Sequence, residues 1–401
     1  MMNTNISSLV AIAQKKTRNI IGLMSGTSLD GLDIALCEIS GSGSDTKLFV
    51  KKFTTVNYTD DFKNEVREIF SKKNIELQKL CLLNEWIATE HAAIINDCLK
   101  KWEIKNTDVD IIASHGQTIY HAPKSLHQQQ KFGNATLQIG DGDHIAVGTG
   151  IITISDFRQK HIAVGGEGAP LAVYGDYLLF NKQGEDRILL NIGGIANFTW
   201  LPGSSEATEI FSTDCGPGNT MLDAFVQKHF PGKYFDEESR IALKGKVNEQ
   251  LLSALKENDF FSIPFPKTTG PELFNSDYLG DAKKRSGATS ISAEDTMSTL
   301  TKFSADMIAD SINKCRKKNA HIKIFCSGGG IHNPLLMQHL KDEIDNCSFE
   351  TTALLGIEPD AKEAVLFAVL ANECVAGNAL VFGKGIDGMP AVSMGKISFP
   401  Y

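Results

Sequence analysis

Several kinds of segment are missing from this chain of 401 residues. No stretch approaches the ~20 consecutive apolar residues of a membrane-spanning helix. No CxxC pair or Cys/His cluster has zinc spacing, and no GxxxxGK(S/T) loop is present. A helical membrane protein, a zinc-stapled module and a P-loop enzyme are thereby excluded. Positive charge is also in deficit: 40 Lys and Arg against 48 Asp and Glu give a formal charge of −8. Spread along the chain, that balance gives no broad cationic surface for nucleic-acid phosphates or anionic lipid, so neither nucleic acid nor membrane is an expected partner. A small anionic ligand stays open, because the charge of a pocket need not follow the total. The eight cysteines, Cys37, Cys81, Cys98, Cys215, Cys315, Cys326, Cys347 and Cys374, are scattered and read as reduced thiols of a cytoplasmic protein.

What is present suits a protein with a substantial core. Apolar residues make up 42% and charged residues 22%, with 35 Gly and 12 Pro, and ~150 residues per domain gives a prior of two or three domains. The short apolar stretch at residues 9–13 has no basic region before it and runs into Gln14-Lys15-Lys16. Residues 1–18 therefore read as a flexible leader rather than a signal peptide. Beyond it, β-rich runs alternate with longer helical patterns, the signature of an α/β fold. Residues 19–23, a Gly/Ser/Thr/Asp tip over 25–31, and residues 32–39 read as a β-hairpin. A second strand, Gly193-Gly194 turn and strand follow over residues 187–201. The repetition suggests a duplicated architecture divided near residue 186: an N-terminal lobe of 19–186 and a C-terminal lobe of 187–401, with a cleft between them and the helix of residues 359–376 packed across both.

Other strands run into polar ends. Residues 110–114 lead to His115-Gly116-Gln117-Thr118, residues 151–154 to Asp156-Phe157-Arg158, and residues 209–213 to Asp214-Cys215-Gly216-Pro217-Gly218-Asn219. Ligands collect at the carboxyl ends of strands in open α/β sheets, so these ends are pocket candidates. A long helix over 296–317, a strand over 321–326, a turn at Ser327-Gly328-Gly329-Gly330 and a helix over 334–344 come next. Pro359 opens a helix to about residue 376 whose Val365, Leu366, Phe367, Val369 and Leu370 are apolar nearly all round, so it should be buried. Glycine loops after strands, here at 26–31, 193–194 and 328–330, let backbone N–H groups approach a phosphate, and the hydroxyls of Ser25, Thr27 and Ser28 add donors. One such loop alone is a tight turn; three in this order are more specific. The GxGxxG match at Gly383, Gly385 and Gly388 precedes Met389-Pro390 where a helix should begin, so it reads as a C-terminal loop.

The hairpin sequence Gly22-Leu23-Met24-Ser25-Gly26-Thr27-Ser28-Leu29-Asp30-Gly31-Leu32-Asp33 resembles the phosphate-binding hairpin of the anhydro-N-acetylmuramic acid kinases. That family belongs to the larger group of sugar kinases, heat-shock chaperones and actin. Ser114-His115-Gly116-Gln117-Thr118, Gln138-Ile139-Gly140, Asp156-Phe157-Arg158, Gly165-Gly166-Glu167-Gly168-Ala169-Pro170, Asn191-Ile192-Gly193-Gly194, Asp214-Cys215-Gly216-Pro217-Gly218-Asn219 and Gly328-Gly329-Gly330 resemble family landmarks in the same order. The match runs from about residue 19 to the C-terminus. Met24-Ser25 stands where most of the larger group has an aspartate before the glycine-threonine turn, which favours this family over general sugar kinases.

The resemblance implies a duplicated actin-like, ribonuclease H-like ATPase fold. It also implies an enzyme that opens 1,6-anhydro-N-acetylmuramic acid with water and phosphorylates O6 from ATP, in peptidoglycan recycling. Gly26, Thr27, Ser28, Leu29, Asp30, Gly31, Leu32, Asp33, Gly193, Gly194, Gly328, Gly329 and Gly330 would hold ATP, with Mg²⁺ arriving on its phosphates and held, if at all, through Asp30 or Asp33. Those two aspartates are equally readable as turn residues. Asp214 resembles the catalytic base, the alternative being a cap of the helix that begins at Thr220. Glu363, in a first helical turn whose dipole favours the ionised form, resembles a residue facing the sugar and is the second catalytic candidate, one of Asp214 and Glu363 orienting the water while the other takes its proton; the alternative is a solvated glutamate. Arg158 is the candidate partner of the sugar's lactyl carboxylate, with His115, Asp156 and Glu167 as further substrate contacts; a structural role suits His115 as well. The family also implies a homodimer. A different sugar kinase of the same fold, or a non-enzymatic actin-like ATPase, are the alternatives.

Overall fold

The computed structural model describes residues 3–169, 171–316, 320–379 and 390–401. The chain forms two compact units, one built from residues up to 180, 207–209 and those from 356 onward, the other from 181–206 and 210–355.

The first unit begins with a helix, α1 (Thr4–Ala13), not with a flexible leader. Asn3 caps it by accepting from the backbone N–H groups of Asn5 and Ile6, and the Arg18 guanidinium donates to the carbonyls of Ala13 (3.3 Å) and Lys15 (2.7 Å), which satisfies the helix's last turn. An antiparallel meander follows, β1 (Thr17–Ser25), β2 (Gly31–Ser40) and β3 (Lys47–Asn57). Helices α2 (Asp60–Arg67) and α3 (Leu77–Lys101) lead to β4 (Ile111–Ala122). After it come α4 (Lys124–His127), β5 (Ala135–Ile139), α5 (Gly142–Thr149), β6 (Thr153–Ser155), α6 (Phe157–Ala163) and α7 (Ala172–Phe180). β4 runs parallel to β1, and β6 parallel to β4, so the spatial order is β3-β2-β1-β4-β6, with β5 antiparallel to part of β4. Ile20, Ile21 and Leu23 of β1 are all buried, the continuous apolar run of a strand covered on both faces.

The second unit repeats that plan. β7 (Asp186–Ile192), β8 (Ile195–Leu201) and β9 (Phe211–Pro217) form an antiparallel meander. Helices α8 (Thr220–His229), α9 (Glu249–Lys256), α10 (Ser276–Ser286) and α11 (Ala293–Cys315) precede β10 (Ile322–Ser327), α12 (Pro334–Glu343) and β11 (Cys347–Thr351). β10 lies parallel to β7 and β11 parallel to β10, giving β9-β8-β7-β10-β11, the same order and sense as the first sheet. The duplication suggested by two glycine hairpins is thus present in the whole strand order, and the fold is the expected mixed α/β architecture with two sheets.

The chain then returns to the first unit with α13 (Lys362–Ala376) and β12 (Lys396–Ser398), the latter antiparallel to β6. Residues 356–401 therefore group with the first unit, not with a C-terminal lobe, and the changeover expected near 186 comes at 180/181. The reason lies in α13. Its residues 364–373 are all buried, packed on β1, β2 and β4, and a Cβ added to Gly22 would lie 1.9 Å from the carbonyl oxygen of Ala364. Only glycine lets the helix come that close to β1. Among the described residues no helix is long and apolar enough to cross a membrane. The GxGxxG match at 383–388 and Pro170 of the Gly165 motif lie outside the described residues.

Candidate active site

In the first unit the tip of the β1–β2 hairpin leaves Thr27, Ser28 and Asp30 exposed, while Leu29 anchors it at 2% exposure. Leu29 takes a positive φ of 60°, and its N–H donates to the Gly26 carbonyl at 3.3 Å. Ser25 departs from the expected phosphate donor. Its hydroxyl, 2% exposed, donates to Gln117 Oε1 at 2.5 Å and accepts from the Tyr58 hydroxyl at 2.7 Å. Its proton is committed inside the protein, leaving Thr27 and Ser28 as the hydroxyls open to a ligand.

Four acidic residues gather near this hairpin. Burial raises the Asp33 carboxyl; a 2.5 Å bond from Thr55 Oγ1 pulls the other way, and the negative charges of Asp360 and Asp30 raise it further. Glu363, at the head of α13, is exposed to solvent, yet desolvation by surrounding protein still raises its pKa; Lys362 lowers it, Asp33 raises it and Arg158 lowers it. The helix dipole does not dominate there, as the sequence had suggested; desolvation does. Lys362 itself is turned to Asp176, 2.9 Å away. Among the described residues no three His, Cys, Asp or Glu side chains come together as a cage for a metal ion.

The structure joins His115 to Arg158. Arg158 Nε donates to His115 Nε2 at 3.0 Å, while His115 Nδ1 donates to the Gly116 carbonyl at 2.8 Å. The ring is therefore a neutral imidazole accepting from the guanidinium, and burial, with the Arg158 charge second, pushes its pKa down to about 3. His115 is a structural support that aims Arg158, whose terminal N–H groups make no salt bridge among the described residues. His121, which the sequence did not single out, feels both Arg158 and Glu167, so Glu167 lies in the same neighbourhood, accepting a 3.4 Å bond from Ser125. Asp156 stands apart: it takes a positive φ of 55° at the start of α6 and pairs with Lys396 at 2.5 Å. The motif around His115 is not a strand end, because β4 continues to Ala122 with an irregularity opposite β1 between Leu23 and Ser25 and a positive φ of 73° at Gly116.

In the second unit three separate segments converge. The turn between β7 and β8 accepts at Gly194 from the N–H groups of Gly218 (2.8 Å) and Thr220 (3.1 Å), and at Gly193 from that of Asn219 (2.9 Å). Gly328, at φ 84°, and Gly330 pack on the end of β7, where an added Cβ would lie 2.7 Å from the Ile192 carbonyl oxygen and 2.2 Å from the Ile192 side chain. The glycines predicted from three loops thus include two groups, 193–194 and 328–330, that meet within one unit. Asp214 lies inside β9, paired with Asn197 next to a bulge, rather than at its end. It does not cap α8; Asn219 holds that position. Its Oδ2 accepts from the Thr269 N–H at 2.8 Å and its own N–H donates to the Lys267 carbonyl at 2.9 Å. Burial raises its pKa to about 6, against the Thr269 bond and with a smaller push from Glu272. Thr269, Lys267 and Glu272 were missed in the sequence, since they come from a stretch without motif or periodicity.

Two sheets of one strand order, a hydroxyl-bearing glycine hairpin in one and convergent glycine turns near a perturbed aspartate in the other, define a duplicated mixed α/β protein with glycine-rich candidate sites in each unit. A sequence model of the family "Anhydro-N-acetylmuramic acid kinase" matches residues 18–397. The chain is 55% identical over 400 residues to the anhydro-N-acetylmuramic acid kinase of Pseudoalteromonas atlantica, covering 100% of both chains. It is 52% identical over 402 residues to that of Pseudoalteromonas translucida, covering 99% of this chain and 100% of the other. Against that of Caldanaerobacter subterraneus subsp. tengcongensis it is 37% identical over 392 residues, covering 97% and 99%. The chain belongs to the anhydro-N-acetylmuramic acid kinase family.

Proposed function

We propose that the protein hydrolyses the anhydro bridge of 1,6-anhydro-N-acetylmuramic acid and transfers the γ-phosphoryl group of Mg-ATP to O6, giving N-acetylmuramic acid 6-phosphate and ADP. Water attacks C1, its proton passes to Asp214, and the C1–O6 bond breaks with its electron pair on O6. That oxygen attacks the γ-phosphorus, and the bond to the β-phosphate oxygen breaks as ADP leaves. The observation that carries this reading is the Asp214 carboxylate. One oxygen is fixed by the Thr269 N–H, and Oδ1 has no hydrogen bond among the described residues. With a pKa near 6 it is ionised at neutral pH yet basic enough to take a proton, a contribution of ~10²–10⁴-fold for a positioned base.

Glu363 and Arg158 take the sugar, Glu363 orienting the reacting end and Arg158 pairing with the lactyl carboxylate, with His115 fixing the guanidinium and Glu167 a further polar contact. Thr27, Ser28 and the hairpin backbone are the candidate phosphate contacts of the first unit, and the glycines at 193–194 and 328–330 the candidate nucleotide contacts of the second. Mg²⁺ comes as part of that substrate: Asp30 and Asp33 suit an outer contact to its waters, and the acidic neighbourhood of Asp33 would be relieved by it. The eight cysteines are free thiols, in keeping with a cytoplasmic enzyme, and the family reading extends to a homodimer. The test is ADP release with 1,6-anhydro-N-acetylmuramic acid, glucose and free N-acetylmuramic acid. Turnover with the anhydro sugar alone is expected; equal rates with all three would overturn the assignment.

A further inference from the structure

Tyr58, which follows β3, holds the hairpin tip from outside the hairpin at both of its ends. At one end of the tip the Tyr58 backbone N–H donates to the Asp30 carbonyl at 3.1 Å. At the other its hydroxyl donates to Ser25 Oγ at 2.7 Å. The tip so spanned contains the strained residue Leu29, a side chain with a positive φ of 60°, which costs free energy and persists only where its surroundings enforce it. Tyr58 is 6% exposed, and its ring stacks on Phe62 with centroids 3.9 Å apart, so its position is fixed by packing.

The hydrogen bonds through Tyr58 have only one consistent direction. Ser25 Oγ spends its proton on Gln117 Oε1 at 2.5 Å, so it can only accept from Tyr58. With its own proton given to Ser25, the phenol oxygen can only accept from His91 Nε2, 2.9 Å away. His91 is then the tautomer protonated at Nε2, with Nδ1 bare, which fits Nδ1 being a buried atom without a hydrogen-bond partner. Gln117, oriented by accepting at Oε1, returns its Nε2 to the Gly26 carbonyl at 3.4 Å. The chain starts on α3, crosses Tyr58, fixes Ser25 and ends on the tip's own backbone. Polar side chains buried in one line are costly unless they bond one another, and here each is joined to the next.

We propose that this directed chain, His91 to Tyr58 to Ser25 to Gln117, is a positioning relay that presets the hairpin tip in the conformation that receives the ATP phosphates. Tyr58 and His91 act through Ser25 and Gln117 and touch neither substrate. The inference rests on the hairpin being the phosphate site, as proposed above.

Tyr58→Phe tests it, because the ring stack and the backbone N–H bond to Asp30 are retained while the hydroxyl is lost. At a temperature where the variant is fully folded, the expected result is a KM for Mg-ATP raised about tenfold, with the KM for the anhydro sugar within twofold of wild type. Direct titration with a non-hydrolysable ATP analogue should weaken by the same factor. His91→Gln, whose side-chain amide can supply the N–H that His91 Nε2 provides, should restore near-wild-type ATP affinity, whereas His91→Ala should match Tyr58→Phe. A Tyr58→Phe protein with a lowered melting temperature but unchanged ATP KM and analogue affinity would overturn the relay, as would equal behaviour of the Gln and Ala variants at 91. The analogue titration needs no sugar. A wild type that binds ATP but does not turn over the anhydro sugar would therefore defeat the substrate assignment and leave the relay to be judged by its own ratio, while a wild type that binds no ATP would overturn both.

Discussion

Asp214 carries opposite consequences for rate and for stability. Its folded-state pKa of about 6 lies above the ordinary 3.8, so between those values the native chain holds a proton that the unfolded chain has released. Native stability from this group is present below about pH 4 and is lost as pH rises toward 6, since above that the protein bears a half-buried carboxylate. Asp214→Asn should therefore raise the melting temperature at pH 7–8, by a free energy on the order of 1–3 kcal/mol, with no gain at pH 4; thermal scans at both values check it. Turnover follows the other branch. In wild type, kcat should be flat above about pH 7 and fall tenfold per unit below 6 as the base is protonated, and Asp214→Asn should lose several orders of magnitude at every pH while still binding ATP. Arg158→Lys should raise the KM for the sugar at least tenfold with little change for ATP, because an ammonium cannot bond His115 through Nε and also present a fork to a carboxylate; steady-state kinetics with each substrate varied decides it.

At the scale of the element, α13 is the clearest case. Burying Val365, Leu366, Phe367, Val369 and Leu370 at ~1.5–3 kcal/mol each adds up to the order of a whole domain's net stability, so the helix cannot be peripheral. Gly22→Ala should force it off β1 through the 1.9 Å clash with the Ala364 carbonyl. A drop in stability of about 1–3 kcal/mol and a lower kcat, since Glu363 rides on the same helix, are expected from denaturant melts and assays. The apolar pattern of this helix and the two glycine hairpins were legible in the sequence because local periodicity and turn chemistry specify them. The extent of β4 was not: Gly116 and the irregularity opposite Leu23 to Ser25 break the pattern within the strand, while β5, pairing from a later segment, prolongs it. Nor was the support of the hairpin tip, because Tyr58 and Gln117 lie 33 and 92 residues from Ser25 and a hydrogen bond over that separation leaves no mark on local composition. Asp214 could be nominated from its glycine-rich neighbourhood, but its elevated pKa comes from burial that only the fold creates.

For the whole molecule, the repeated strand order explains why glycine turns recur at comparable places in the two halves of the sequence: each follows the first strand of its meander. The departure from simple duplication is the C-terminal segment, which completes the first sheet with α13 and β12. Ending the chain at residue 355 should accordingly unfold the first unit, with loss of circular-dichroism signal and ATP binding, instead of trimming the second. The formal charge of −8 gives little guidance to partners, since an anionic nucleotide and an anionic sugar would be met locally by backbone N–H groups, Arg158 and the cation carried by ATP. The central claim is that one enzyme opens the anhydro ring with water and phosphorylates the oxygen released. Running the reaction in ¹⁸O-water and locating the label by mass spectrometry tests it most directly. The account predicts one ¹⁸O at the C1 hydroxyl of N-acetylmuramic acid 6-phosphate and none in the phosphoester; label in the phosphate, or a product without ¹⁸O at C1, would contradict it.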